Sequence, residues 1–386
     1  PSPIQPIAAA VAAGAALASV ALNIMFPAKP KSSSMGSQTS FRLDPQAGIP
    51  YPVGRTLFGG LGVHRDTWGT DNEYHGVVVA WAGGGPIQEI ERFEVDNAPV
   101  NFAGGAAVGA FAGFMWLSTQ LGALGGPALA SPVAGFPGWG ANQKMSGYAA
   151  GIWVCKYDKK GKKFAAGLGK MAAVLKAVKV YDPRLDSTYP GGSGPCRAGV
   201  ESTYVFSENP WLHGLTWALG RWNNGLKVLG VGMAVASINV ASFVDAANVA
   251  DANNWKVGGV VSSVDDKWEV LKMFAQAGGG EPVRLAGKLS AFVNAPRVSI
   301  ATIETADLVG DATIATSQFI RSRINGVVPI VRLETHGWEQ VPAKPVRWDP
   351  YVAEDGGRRT VETEFVLVQQ LTQAAQLAGY EIVNAR

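Results

Sequence analysis

Residues 76–100, GVVVAWAGGGPIQEIERFEVDNAPV, mark the chain as strand-built. Residues 76–82 are a continuous apolar run and read as a buried strand. Gly83-Gly84-Gly85-Pro86 is a turn signal. Residues 87–95, IQEIERFEV, read as a second strand with mixed faces, and Asp96-Asn97 opens the next turn. Two such runs around a Gly/Pro turn form the pattern of a β-hairpin.

Downstream, residues 97–143 carry no charge over 47 positions. The stretch is rich in Gly and Ala and is too broken by Gly and Pro for a regular helix throughout. Residues 97–147 are therefore read as an apolar insertion in a β-rich region. Such a surface is a solubility hazard on a monomer. Phe111, Phe114, Met115 and Trp116 are accordingly the candidates for subunit or membrane contact, against the alternative of a buried irregular core segment.

Strand character resumes at 152–157, IWVCKY. Lys156, Lys159, Lys160, Lys162, Lys163, Lys170, Lys176 and Lys179 then stand against one acid, Asp158. A run of this kind reads as a solvated face; the sharper reading is a surface that meets phosphates. Residues 177–181, AVKVY, run as a strand into the turn Tyr181-Asp182-Pro183-Arg184. There Asp hydrogen-bonds the backbone ahead of it and Pro sets the turn.

Helices follow. Ser207 or Asn209 caps one that begins at Pro210, with Leu212, Leu215 and Leu219 on one face. Val240, Phe243, Val244 and Ala247 have the spacing of an amphipathic helix. Asp265 is read as the cap of a third, ended by Gly278. Strands are expected within 283–302, at 327–333 and at 361–365. A helix is expected over 367–378, closed by Gly379. The order is strands, apolar insertion, strands, helices, then strands with one helix, which is α+β and β-rich rather than alternating.

Upstream, residues 29–48 form a polar linker. Residues 7–26 contain no charge, and Gly14 and Ala18 would allow close helix approach. Burial inside an assembly, contact with a membrane and a signal remnant are the three readings of this segment. Because the first residue is Pro, further residues are expected in front of it.

Charged residues are 16% of the 386, Gly numbers 48 and Trp 12. Few charges and many aromatics suit a surface covered by other subunits; a Gly-rich β chain is the alternative. The net charge of +3 does not by itself select a nucleic-acid partner. Cys155 and Cys196 are too few for a metal site and are read as free thiols. His64, His75, His213 and His336 lack metal-ligand spacing. No GxSxG elbow and no Gly-Lys-Ser/Thr phosphate loop occurs. Asp182 and Asp186 would serve a glycosidase only across a cleft. Asp265-Asp266 reads as capping. No catalytic residue, cofactor or metal is expected.

Several segments in order resemble the tail-tip hub, or tip-attachment and host-specificity, family of long-tailed bacteriophages. They are PYPVGRTLFGG at 50–60, the stretch at 76–100, AVKVYDPRLDSTYPGG at 177–192, YVFSENPWLHGLTWAL at 204–219 and DDKWEVLKMFAQAGGGEPV at 265–283. In the third, Ala177 stands where the family has Gly. The resemblance spans residues 45–380. It implies a hub of β-barrel-like domains with an inserted helical region, forming a ring-shaped homotrimer at the distal end of the tail. The implied partners are its own copies, the tail tube and distal tail proteins, other tip proteins, the tape measure protein in the lumen, and DNA in the channel. Contact with the host envelope is the alternative role, and a cell-wall-degrading enzyme a third.

The expected organisation is an apolar segment at 1–28, a linker at 29–48, and a first β-rich domain at 49–190. A helical α+β domain at 200–296 and a second β-rich domain at 297–386 follow. Family members often carry receptor-binding modules at the C-terminus; none is visible here, so receptor binding is not expected of these residues.

Overall fold

The computed structural model describes residues 40–44, 46–157, 163–164, 167–295, 302, 304, 307 and 322–385. The apolar segment 7–26, most of the linker, Lys159, Lys160 and Lys162 lie outside them.

The first half is built on strands: β1 (Pro50–Phe58), β2 (Leu61–Trp68), β3 (Tyr74–Ala82), β4 (Ile87–Val95), β5 (Ala98–Val100), β6 (Phe102–Ala103), β7 (Ala106–Ala107), β8 (Met115–Leu121), β9 (Ala149–Lys156) and β10 (Met171–Val178). Helix α1 (Pro210–Leu219), strands β11 (Arg221–Asn223) and β12 (Leu226–Leu229), helix α2 (Val240–Ala252), strand β13 (Gly258–Ser262) and helix α3 (Lys267–Ala277) follow. The remainder is β14 (Gly280–Leu285), β15 (Lys288–Val293), β16 (Gly326–Leu333), β17 (Glu339–Pro342), β18 (Val346–Arg347), α4 (Asp349–Glu354), β19 (Thr360–Glu364) and α5 (Leu371–Asn384).

The fold is β-rich with some helices, and among the described residues its pairings are antiparallel apart from β16 with β19 and two isolated bridges. One sheet runs β13-β1-β10-β4-β5 and another β2-β3-β9-β8-β7-β6. Among the described residues none of the sheets closes into a barrel, so the barrel-like domains expected from the resemblance are open sheets there. Strand β13 pairs β1 from Pro50↔Ser262 to Gly54↔Gly258, so the spans 49–190 and 200–296 share a sheet.

Strands β3 and β4 are not a hairpin. Each strand has two edges. Those of β3 are taken by β2 and β9, and those of β4 by β10 and β5. The Gly83–Pro86 link therefore carries the chain from one sheet to the other. Its amides leave the local ladder: Gly83 N–H donates to Pro50 O at 2.9 Å and Gly85 N–H to Gly147 O at 3.2 Å. Gly84 needs its missing side chain twice over. Its φ is +77°, and a Cβ there would come within 2.7 Å of Leu229.

The unbroken apolar run of β3 follows from burial on both faces. Val77, Val79 and Trp81 point into the main core, where Trp81 packs 6.2 Å from Phe93. Val78 points to the opposite face with Ala150, Ile152 and Val154. That face is covered by Leu129 and Phe136, from the loop after β8. The apolar insertion thus splits in two. Its first part adds strands β5–β8, and its second folds back over the sheet it helped to build.

Helix α1 is buried at every position, as a helix apolar all round should be. Asn209 caps it, accepting from Trp211 N–H at 3.0 Å, and also donates to Ala247 O and Asp251, which ties α1 to α2. Two expected ends differ. The cap of α3 is Asp266, which accepts from Trp268 and Glu269 N–H, while Asp265 accepts from Ser262 N–H and closes the preceding turn. Helix α5 runs through Gly379 to Asn384, because Leu377, Ala378 and Ile382 keep one face buried on both sides of it.

Candidate functional site

The turn after β10 is built as a cross-linked knot. Val180 pairs with Val205 at the end of the strand. Asp182 then accepts from Arg184 N–H at 3.0 Å and caps a short 3-10 turn over Pro183–Leu185. Its carboxylate also takes the Arg184 guanidinium side-on, at 2.9 and 2.8 Å. Arg184 reaches on to Asp251 at 2.7 Å and Asn248 at 3.0 Å, both on α2. All four of Tyr181, Asp182, Pro183 and Arg184 therefore belong to one junction between β10 and the helices.

Asp186 is the second node of the knot. It accepts from Tyr181 Oη, Thr188 Oγ1, Thr188 N–H and Arg197, at 2.8, 2.6, 2.7 and 3.0 Å. Burial alone would raise its pKa, but the Thr188 and Tyr181 hydrogen bonds and the Arg197 charge hold it below the usual carboxylate range. Burial and the Asp186 contact push the Tyr181 phenol up. An acid held ionised, with its lone pairs engaged by four donors, is poorly set to move protons. The chemistry of this pair of carboxylates is internal bonding.

Of the contact candidates, Met115 is fully buried in the chain's own core and is not available to a partner or a lipid. Phe111, Phe114 and Trp116 are half-buried. Phe111 stacks on Phe164 at 5.7 Å, and Trp116 meets Tyr74 edge-on at 6.1 Å. Trp68, Tyr74, Trp116, Phe136 and Trp139 together form an aromatic layer on the outer face of the six-stranded sheet.

His64 belongs to that layer, with Nε2 2.8 Å from Pro137 O and its ring stacked on Trp139. His213 is fully buried in α1, and burial lowers its pKa to about 4. Cys155 and Cys196 are buried free thiols; burial pushes Cys155 up to about 12, away from the reactive thiolate. Among the described residues no cluster of three or more His, Cys, Asp or Glu could hold a metal ion. No helix among them is long and apolar enough to cross a membrane. Of the lysine run, Lys156 pairs with Glu73 at 3.1 Å and Lys176 with Glu89, so part of it is neutralised within the chain.

Two charged nodes had no local signal in the sequence. Glu334 bonds Arg55 of β1 at 2.6 Å and Arg92 of β4 at 2.7 Å, while Glu91 and Glu94 hold the same two arginines from β4. The hydrogen bond from Arg55 leads in lowering the Glu334 pKa to about 2; Arg92 adds to it, and burial opposes. Arg55 also lies over the Trp338 ring at 5.5 Å. Separately, Arg221 is buried between the rings of Tyr51 and Tyr204, 5.6 and 5.1 Å away, and pairs with Glu201 at 3.2 Å. It donates to Lys179 O as well. Glu334 is 279 and 242 residues from its arginines and Arg221 is 170 from Tyr51, separations that leave no periodicity to read.

No family model matches the chain, and no curated protein matches it. Among the solved structures that match, "Virion of native gene transfer agent (GTA) particle" aligns at a TM-score of 0.49 and 14% identity, over 100% of this chain and 85% of that chain. A likeness at that level does not define fold or role.

Proposed function

We propose that the chain is a structural component of a bacteriophage virion, a tail-tip hub that joins the tail tube to the distal tip and surrounds the DNA channel. The observation that carries this reading is where the resembling segments sit. The segment at 50–60 is β1. That at 76–100 is β3, the sheet-to-sheet link, β4 and β5. That at 177–192 holds the knotted turn, and those at 204–219 and 265–283 are α1 and α3. These are the parts that fix the frame of the fold, and Arg55, Glu91, Asp182, Asp186 and Asn209 within them make internal bonds.

On this reading the chain acts by assembly and not by catalysis. It works as a homotrimer at the distal end of the tail, against tail tube, distal tail and other tip proteins, with the tape measure protein and later DNA in its lumen. The test is to assemble phage with the gene deleted and supply it in trans. Tails that lack tips, and are restored by the full chain, are expected. Normal tips and full infectivity without it would overturn the proposal.

A further inference from the structure

A cavity of about 550 Å³ lies between α3, the hairpin β14–β15 and the segment after β12. Its floor is aliphatic, with Met233, Leu271 and Leu289. Its rim is cationic, with Lys267, Arg284 and Lys288, and among the described residues no carboxylate lines it. The acids nearest in sequence are Asp265, Asp266, Glu269 and Glu281; Asp265 accepts from Ser262 N–H, Asp266 caps α3, Glu269 pairs with Lys272 at 3.0 Å, and none of the four is among the residues that line the cavity. Lys267 gives two of its protons to Ser263 O and Asp265 O. Arg284 and Lys288 are exposed, and Arg284 lies over the Trp268 ring at 5.3 Å.

We propose that this cavity binds an acidic peptide segment of a partner protein, a carboxylate-bearing stretch that also presents a large apolar side chain. The rim supplies the charge complement. An aliphatic floor of this volume suits one or two side chains, in the size range of ordinary ligand pockets. Nucleic acid fits less well. Sequence-tolerant binding of single strands uses open aromatic faces for base stacking, and here the one ring in the cavity already carries a guanidinium. The hairpin turn at Ala286–Gly287 is exposed, and Arg284 and Lys288 beside it are open to an incoming chain.

The test is fluorescence anisotropy on the purified full chain with a labelled peptide of sequence Gly-Glu-Leu-Glu-Phe-Glu. Saturable binding that weakens as salt is raised from about 50 to about 300 mM is expected. The double variant Arg284→Glu with Lys288→Glu should weaken it about tenfold or more. Both positions are exposed, so the variant should keep the parent's melting curve. Replacing Leu and Phe of the peptide by Gly should weaken binding as well. Equal binding of that Gly peptide would overturn the proposal, because charge alone would then suffice. Tighter binding of an unstructured oligonucleotide at the same cavity would overturn it in favour of nucleic acid, and an unresponsive anisotropy would overturn it outright. None of these outcomes depends on the chain being a tail-tip hub.

Discussion

His213 sits in a helix with no exposed face, its Nε2 2.8 Å from Ser207 O and its Nδ1 without a hydrogen-bond partner. A buried imidazole of this kind stays neutral. Its folded pKa is about 4, against 6.5 as the ordinary value. Between those values the unfolded chain takes up a proton that the folded chain refuses. Stability therefore falls as pH drops from 6.5 towards 4, and is unaffected by this group above 6.5. The full loss is ~3 kcal/mol by linkage. Urea midpoints measured from neutral to mildly acid pH should show this slope, and His213→Gln should remove about one proton's worth of it; an unchanged slope in the variant would exclude the assignment. At the knot, Asp186→Ala strands Tyr181 and Arg197, and should cost about 3 kcal/mol of unfolding free energy in the same assay. A loss within experimental error would mean that the knot is not a stabilising junction.

At the scale of elements, some features were legible and others were not. The Val-rich run of β3 announced a buried strand because both of its faces are covered, and Asn209 announced the start of α1 because a cap acts on its own next turn. The β3–β4 connection was not legible. Whether two neighbouring strands pair depends on which edges other strands occupy, and here β9 and β10 arrive from 50 or more residues away in sequence. Of the candidate site, the turn chemistry at Asp182-Pro183 could be read, while the links from Arg184 to α2 could not. Gly379 shows the limit of local signals, since buried neighbours in α5 outweigh a residue that disfavours helix. A Cβ there meets nothing within 4 Å, so Gly379→Ala should stabilise the protein by about 0.5–1 kcal/mol. Thermal unfolding checks it, and a lowered midpoint would show that this stretch is not a regular helix.

Across the whole molecule, the sheet built on β16 is tied to the five-stranded sheet through Glu334 and its two arginines. The Glu334 side chain is 41% exposed, and Arg55 and Arg92 keep Glu91 and Glu94 as partners. Glu334→Gln should therefore cost only about 1 kcal/mol, and less at high salt; denaturation at two salt concentrations measures both. The proposed role is assembly with copies of itself around a channel. An averaged density map of the distal end of intact tails tests that claim most directly. Three copies of the described fold arranged around an open channel are the expected result. A tip map into which this fold does not fit, or which holds it as a single copy away from the channel, would contradict it.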